Sequence, residues 1–168
     1  MRVIVHIGTE KTGTTTIQKL LYRNRETLAK RGFHVLRCAG RLNHRALPSY
    51  CMRENRRDDY LRNRLVNKPE TRESFRKTLR QAFSDEIASL DNHLHTVLIS
   101  SEHFHSLLVH PDELEILREL LQSCFSDIRI LVYLREQVDT ALSRYSTAIK
   151  AGRTQDLETF LQSCSAKS

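Results

Sequence analysis

The stretch Val3–Gln18, VIVHIGTEKTGTTTIQ, constrains this chain more than any other. Val3–Ile7 is a short apolar run of the kind that forms a buried strand. Gly8–Thr16 follows at once, rich in glycine and threonine, and an amphipathic helix starts within it. Strand, glycine loop and helix N-terminus in that order make an anion site. Amides in the first helical turn have no intrahelical partner, and the helix dipole favours negative charge there. Gly13 lets the backbone approach a ligand closely, and the threonines add hydroxyl donors. The expected ligand is a phosphate-like group.

The loop departs from the phosphate-binding pattern G-x-x-x-x-G-K-[ST]. Gly8 and Gly13 have the right spacing, but Thr14 and Thr15 stand where Lys-Ser/Thr is required. The lysine is displaced to Lys11, inside the loop, and must reach an anion from another side. The competing reading is a glycine–threonine turn followed by a threonine-capped helix.

The 168 residues suffice for one domain, residues 1–168. At 39% hydrophobic and 28% charged, the composition is that of a globular protein. The net charge of +7 favours anionic partners. Tryptophan is absent and aromatics are few, which argues against stacking on single-stranded nucleic acid and against a specific nucleic-acid partner. Cys38, Cys51, Cys124 and Cys164 are widely spaced and form no zinc pattern, so they read as reduced thiols. No stretch approaches a membrane span and the N-terminal apolar run is too short for a signal peptide, so a cytoplasmic location is expected.

Ile17, Leu20, Leu21 and Leu28 recur at helical spacing, which predicts one helix over 14–30 with those residues inside, stopped by Gly32. Phe33–Leu36 is a short second strand. Residues 38–69 carry Arg41, Arg45, Arg53, Arg56, Arg57, Arg62, Arg64 and Lys68 with no sustained apolar period. This basic insertion reads either as a solvated surface or as a cationic wall for an acidic acceptor or a nucleotide. Pro69 and Glu70 open a helix running to about Asn92. Thr96–Ser100 is a third strand, Pro111–Cys124 a third helix and Ile128–Leu134 a fourth strand. Glu136–Ala151 is helical, with Val138, Leu142, Tyr145 and Ile149 on one side, and a short helix follows from Leu157. Alternating strands and helices predict an α/β fold, three-layer α/β/α, with a parallel sheet of about four strands, similar to P-loop NTPases. Ligands in such sheets bind at the strands' carboxyl ends. Gly8–Thr16, Ser100–His105 and Arg135–Ser143 are therefore expected at one edge. Arg135 at the fourth strand's end, with Ser143 in the next helix, makes a second phosphate holder, unless Arg135 pairs with Glu136 or Asp139.

Lys-Thr-Gly-Thr-Thr-Thr after a first strand, with Arg-x7-Ser after a later one, resembles the sulfotransferases that use 3′-phosphoadenosine-5′-phosphosulfate (PAPS). The resemblance spans about Val3 to Gly152. It implies that Lys11, Thr12, Gly13, Thr14, Thr15 and Thr16 cradle the 5′-phosphosulfate, and that Arg135 and Ser143 clasp the 3′-phosphate. It implies in-line transfer of a sulfuryl group to an acceptor hydroxyl without a metal, which accounts for the displaced lysine. Lys11 would neutralise charge growing on the bridging oxygen. The general base would be Glu102 in ISSEHFHS or, less favoured, His44 in LNHRALP. Ser100 and Glu102 replace the family's Lys-x-His pattern, and His103 points away if the backbone stays extended. The competing reading of Glu102 is a helix cap or an arginine's partner. The family usually continues beyond the 3′-phosphate helix, so the chain reads as truncated, with exposed apolar surface that invites homo-oligomers. The acceptor hinted at by the basic insertion is a sulfated or uronic-acid glycan. The alternatives are a non-catalytic nucleotide- or polyanion-binding remnant and a degenerate P-loop kinase or NTPase, for which only Glu102 could hold magnesium.

Overall fold

The computed structural model describes the backbone of residues 1–165 and the side chains of residues 1–162. The Cys164 side chain and the polar tail lie outside them. The chain runs β1 (Arg2–His6), α1 (Thr14–Arg23), α2 (Arg25–Ala29), β2 (Phe33–Val35), α3 (Ala46–Cys51), α4 (Asp59–Asn63), α5 (Pro69–Ala88) and β3 (Thr96–Ser100). It continues with α6 (His103–Leu107), α7 (Pro111–Gln122), β4 (Asp127–Leu131), α8 (Gln137–Lys150) and α9 (Leu157–Ser165). It divides into two compact units, residues 1–132 and residues 133 onward. Among the described residues, no helix is long and apolar enough to cross a membrane.

The first unit is α/β. Its four strands form a parallel sheet in the order β2-β3-β1-β4, flanked by helices in a three-layer α/β/α arrangement. Val3 pairs with Val97 on one side and Ile128 on the other. Val3, Val5, Val97 and Ile99 are fully buried and point into one core with Leu47, Leu79, Phe83, Leu121 and Phe125. Ile4 and Leu98, out of step by one, face the other way and are half-buried, as the strand period of two requires. Phe83 of α5 meets Phe125 edge-on, ring centroids 6.0 Å apart.

Three expectations change. The first helix breaks at Asn24, and its buried residues are Thr14 and Gln18, while Leu20 is 54% exposed. The fourth strand stops at Leu131, whose carbonyl accepts the Ile7 N–H, and Val132–Leu134 are exposed. Residues 38–52 are packed rather than solvated, while most of residues 53–69 are exposed, as the solvated-surface reading expects. All of α3 is buried, together with Ala39, Met52 and Leu61. Helical periodicity cannot register there because α3 has only six residues, all inside.

Three arginines of that segment are paired with carboxylates of the same unit, while Arg41, Arg57, Arg62 and Arg64 are exposed. Arg45 pairs with Asp58 and Asp59, Arg53 with Asp112, and Arg56 with the fully buried Glu113. Asp58 caps α4 by accepting the Leu61 N–H and also accepts from Ser49. Burial pushes the Asp58 carboxyl up, but the Leu61, Ser49 and Arg45 donors outweigh it and hold it below the usual range. Buried Arg72 reaches from α5 to the carbonyls of Ser49 and Met52. Cys38, Cys51 and Cys124 are free thiols, and burial pushes those of Cys38 and Cys51 up.

In the second unit, Gly152 (φ 87°) ends α8 as expected. Tyr145 packs on Phe160, ring centroids 5.4 Å apart, and donates to the Gln155 carbonyl. Val138, Leu142 and Ile149 form the expected apolar stripe, and it is exposed.

Candidate functional site

The site is assembled at the carboxyl ends of β1 and β3, the two central strands. The chain leaves β1 toward β2 at one edge and leaves β3 toward β4 at the other, so the ends of β1 and β3 flank the point where the winding reverses. His6 ends β1, 3% exposed, its Nδ1 2.8 Å from Ser100 Oγ. Burial lowers the His6 pKa, and the nearby Glu102 charge opposes the shift.

The loop after β1 turns on its glycines. Gly13 precedes α1 with φ 83°, in the left-handed region, while a side chain there would meet nothing within 4 Å. Backbone twist alone therefore selects glycine at that position. Gly13 O accepts the N–H groups of Thr16 and Ile17 at 2.9 and 3.2 Å. The amides of Thr14 and Thr15 are left in the unpaired first turn. Thr12 Oγ1 donates to Thr9 O at 2.6 Å, so its hydroxyl closes the loop rather than facing a ligand. Thr14 is buried, and Thr15 and Thr16 are exposed. Lys11 is half-buried with φ 68°.

Gly8 is needed for crowding. A Cβ there would lie 3.0 Å from the Glu102 Cα. The loop after β1 thus rests against the end of β3, and two of the three expected segments meet. At Glu102 the backbone turns helical (φ −65°, ψ −16°) into α6. Its side chain does not cap that helix. Glu102 Oε2 instead accepts from Gln18 Nε2 at 2.7 Å and from Asn43 Nδ2 at 3.0 Å. Among the described residues no arginine pairs with it. Both competing readings of Glu102 therefore give way to a carboxylate aimed by two amides. Because the backbone turns rather than staying extended, His103 swings back. Its Nε2 lies 3.8 Å from Glu102 Oε1 and accepts from Arg45 NH1 at 2.6 Å. Burial, then the Arg45 charge, lower the His103 pKa and favour the neutral ring.

His44 is occupied elsewhere. It is 1% exposed, donates from Nε2 to Leu36 O at 2.7 Å and accepts the Ser100 N–H at Nδ1. Burial brings its pKa down to about 4. With both ring nitrogens bound to backbone, His44 ties β2, β3 and the following turn together and has no lone pair for an acceptor.

Arg135 and Ser143 belong to the second unit. Arg135 lies in the connection before α8 and its guanidinium is 3.5 Å from the Asp139 carboxylate, the helix-start pair weighed from the sequence. Ser143 is on α8, and its carbonyl accepts from Thr147.

Sequence reasoning missed Gln18 and Asn43, took Arg45 only as one of the insertion's basic residues and turned His103 away from the site. Gln18 carried a signal in Thr14, Gln18 and Tyr22 at i, i+4, i+8, a polar stripe passed over for the leucines. No family model matches the chain, and no curated protein or solved structure matches it.

Proposed function

We propose that the chain is a sulfotransferase domain that takes PAPS as donor and a hydroxyl-bearing acceptor. The observation that carries this reading is the approach of Gly8 to Glu102. It sets an oriented carboxylate beside a glycine–threonine loop that leaves the first-turn amides of Thr14 and Thr15 without a helical partner. A group transfer from a phosphate-type donor needs those two parts side by side. The amides of residues 12–15 bind the 5′-phosphate end. Lys11 neutralises charge on the bridging oxygen as the sulfur–oxygen bond to that phosphate breaks. Glu102, aimed by Gln18 and Asn43, takes the acceptor's proton as the new oxygen–sulfur bond forms. The products are a sulfate ester and adenosine 3′,5′-bisphosphate.

A thermal-shift titration tests the donor side. Adenosine 3′,5′-bisphosphate is expected to stabilise the chain without magnesium, and stabilisation by ATP with magnesium alone would overturn the reading. With labelled PAPS and a panel of phenols and glycans, Lys11→Ala is expected to cut transfer by roughly 10²–10³-fold with the melting temperature little changed. Transfer that survived the substitution would remove the role given to Lys11.

A further inference from the structure

The polar stripe that begins at the anion loop does not stop at Glu102. Thr14 lies at the loop, Gln18 holds Glu102, and Tyr22 lines two adjoining cavities of about 370 and 330 Å³. Successive members of the stripe are about 6 Å apart along the helix axis. The cavities share Tyr22 and Arg41, and the larger also takes in Arg25, Arg37, Val35 and Leu36. Arg41 Nε donates to Tyr22 Oη at 2.8 Å, and the Arg25 and Arg41 guanidiniums stand 4.6 and 4.8 Å from the Tyr22 ring centre.

Three features separate this cluster from an ordinary basic surface. It is concave, with an apolar floor from Val35 and Leu36. Among the described residues no carboxylate lies within ion-pair distance of Arg37 or Arg41, whereas Arg45, Arg53 and Arg56 each have one. It is also wired to the site. Gly40 (φ 137°) allows a turn so tight that a Cβ there would lie 2.4 Å from Asn43 O. That turn presents Arg41 to the cavities while Asn43, two residues on, hydrogen-bonds Glu102.

We infer that this groove is an acceptor subsite for an anionic, hydroxyl-rich chain of the uronic-acid or sulfated glycan class, whose next unit is delivered to Glu102. The inference rests on the transferase reading for the purpose of that delivery. The groove itself stands on its arginines. Guanidinium forks match carboxylate and sulfate groups with paired hydrogen bonds. Single-stranded nucleic acid fits less well, because the groove's one aromatic ring already carries two guanidiniums and offers no platform for bases.

The test uses fluorescence anisotropy of a labelled heparin octasaccharide on the full chain, with Arg37→Glu and Arg41→Ala as variants. Each is expected to weaken binding about tenfold or more, the effect of losing one charged hydrogen-bond donor. Binding should also weaken as salt is raised, and a neutral oligosaccharide of the same length should not compete. Stabilisation by adenosine 3′,5′-bisphosphate, read on the same samples, should be unchanged in both variants. Wild-type affinity in both variants, equal competition by the neutral sugar, or displacement at lower concentration by single-stranded RNA of equal charge would each overturn the groove. Bisphosphate stabilisation without octasaccharide binding would overturn the groove alone. Octasaccharide binding lost in the variants, with no bisphosphate effect in any sample, would support the groove as an anionic-glycan site and remove the transferase reading.

Discussion

Arg45, Arg53, Arg56 and Arg72 differ from Arg25, Arg37 and Arg41 in what they face, although all seven add equally to a net charge of +7. Arg45, Arg56 and Arg72 are turned inward, whereas Arg53 meets Asp112 at the surface with 40% of its side chain exposed. Arg56 pairs with Glu113, which is fully buried and also accepts the N–H groups of Arg53, Val109 and His110. Arg72 is 4% exposed, and burial lowers its pKa to about 10. The second set lines a cavity and, apart from Arg25 at 3.9 Å from the exposed Glu26, meets no carboxylate among the described residues. Counting basic residues along a chain therefore misplaces its cationic surface. Field is available to a ligand only where carboxylates have not already consumed it.

The sharpest way to break this contrast is Glu113→Ala. Removing a buried carboxylate leaves three amides without their acceptor and Arg56 with only the Leu107 carbonyl, and the expected loss is about 4 kcal/mol in urea unfolding. A loss below about 1 kcal/mol would show that the inward set is ornamental.

His44, the neighbour of Arg45, supplies a smaller effect through pH. Its folded pKa of about 4 lies below the unfolded 6.5, so between those values the unfolded chain binds more protons. Stability should therefore fall as pH drops from about 6.5 to 4, by at most about 3 kcal/mol from this group. Unfolding midpoints across that window check it. His44→Gln is expected to lose most of the slope, and an unchanged slope would relocate the effect to His6 or His103. The smallest effect belongs to the groove. Arg37→Ala should change stability by no more than about 0.5 kcal/mol, because its side chain has no hydrogen-bond or ion-pair partner among the described residues. A larger loss would place Arg37 with the inward set.

The strand–loop–helix at the N-terminus, the third strand and the helix opened by Pro69 were all legible from the chain. Each depends on properties carried by adjacent residues: a glycine's access to φ 83°, a short apolar run, a proline that suits a first helical turn. The buried face of α1 was not legible. Leucine periodicity pointed one way, and the demand for a donor at Glu102 turned Gln18 inward.

The sequence by itself determined that a glycine–threonine loop follows a buried strand and that a carboxylate ends another, since both are local facts. Tertiary structure alone decided that Gln18 and Asn43 aim that carboxylate, that His44 is a backbone strut, and which arginines remain available. Those outcomes join residues as far apart as Gln18 and Glu102 or Arg53 and Asp112. A hydrogen bond or ion pair between such distant positions forms only once the sheet has brought their segments together, and nothing in the neighbouring residues encodes it.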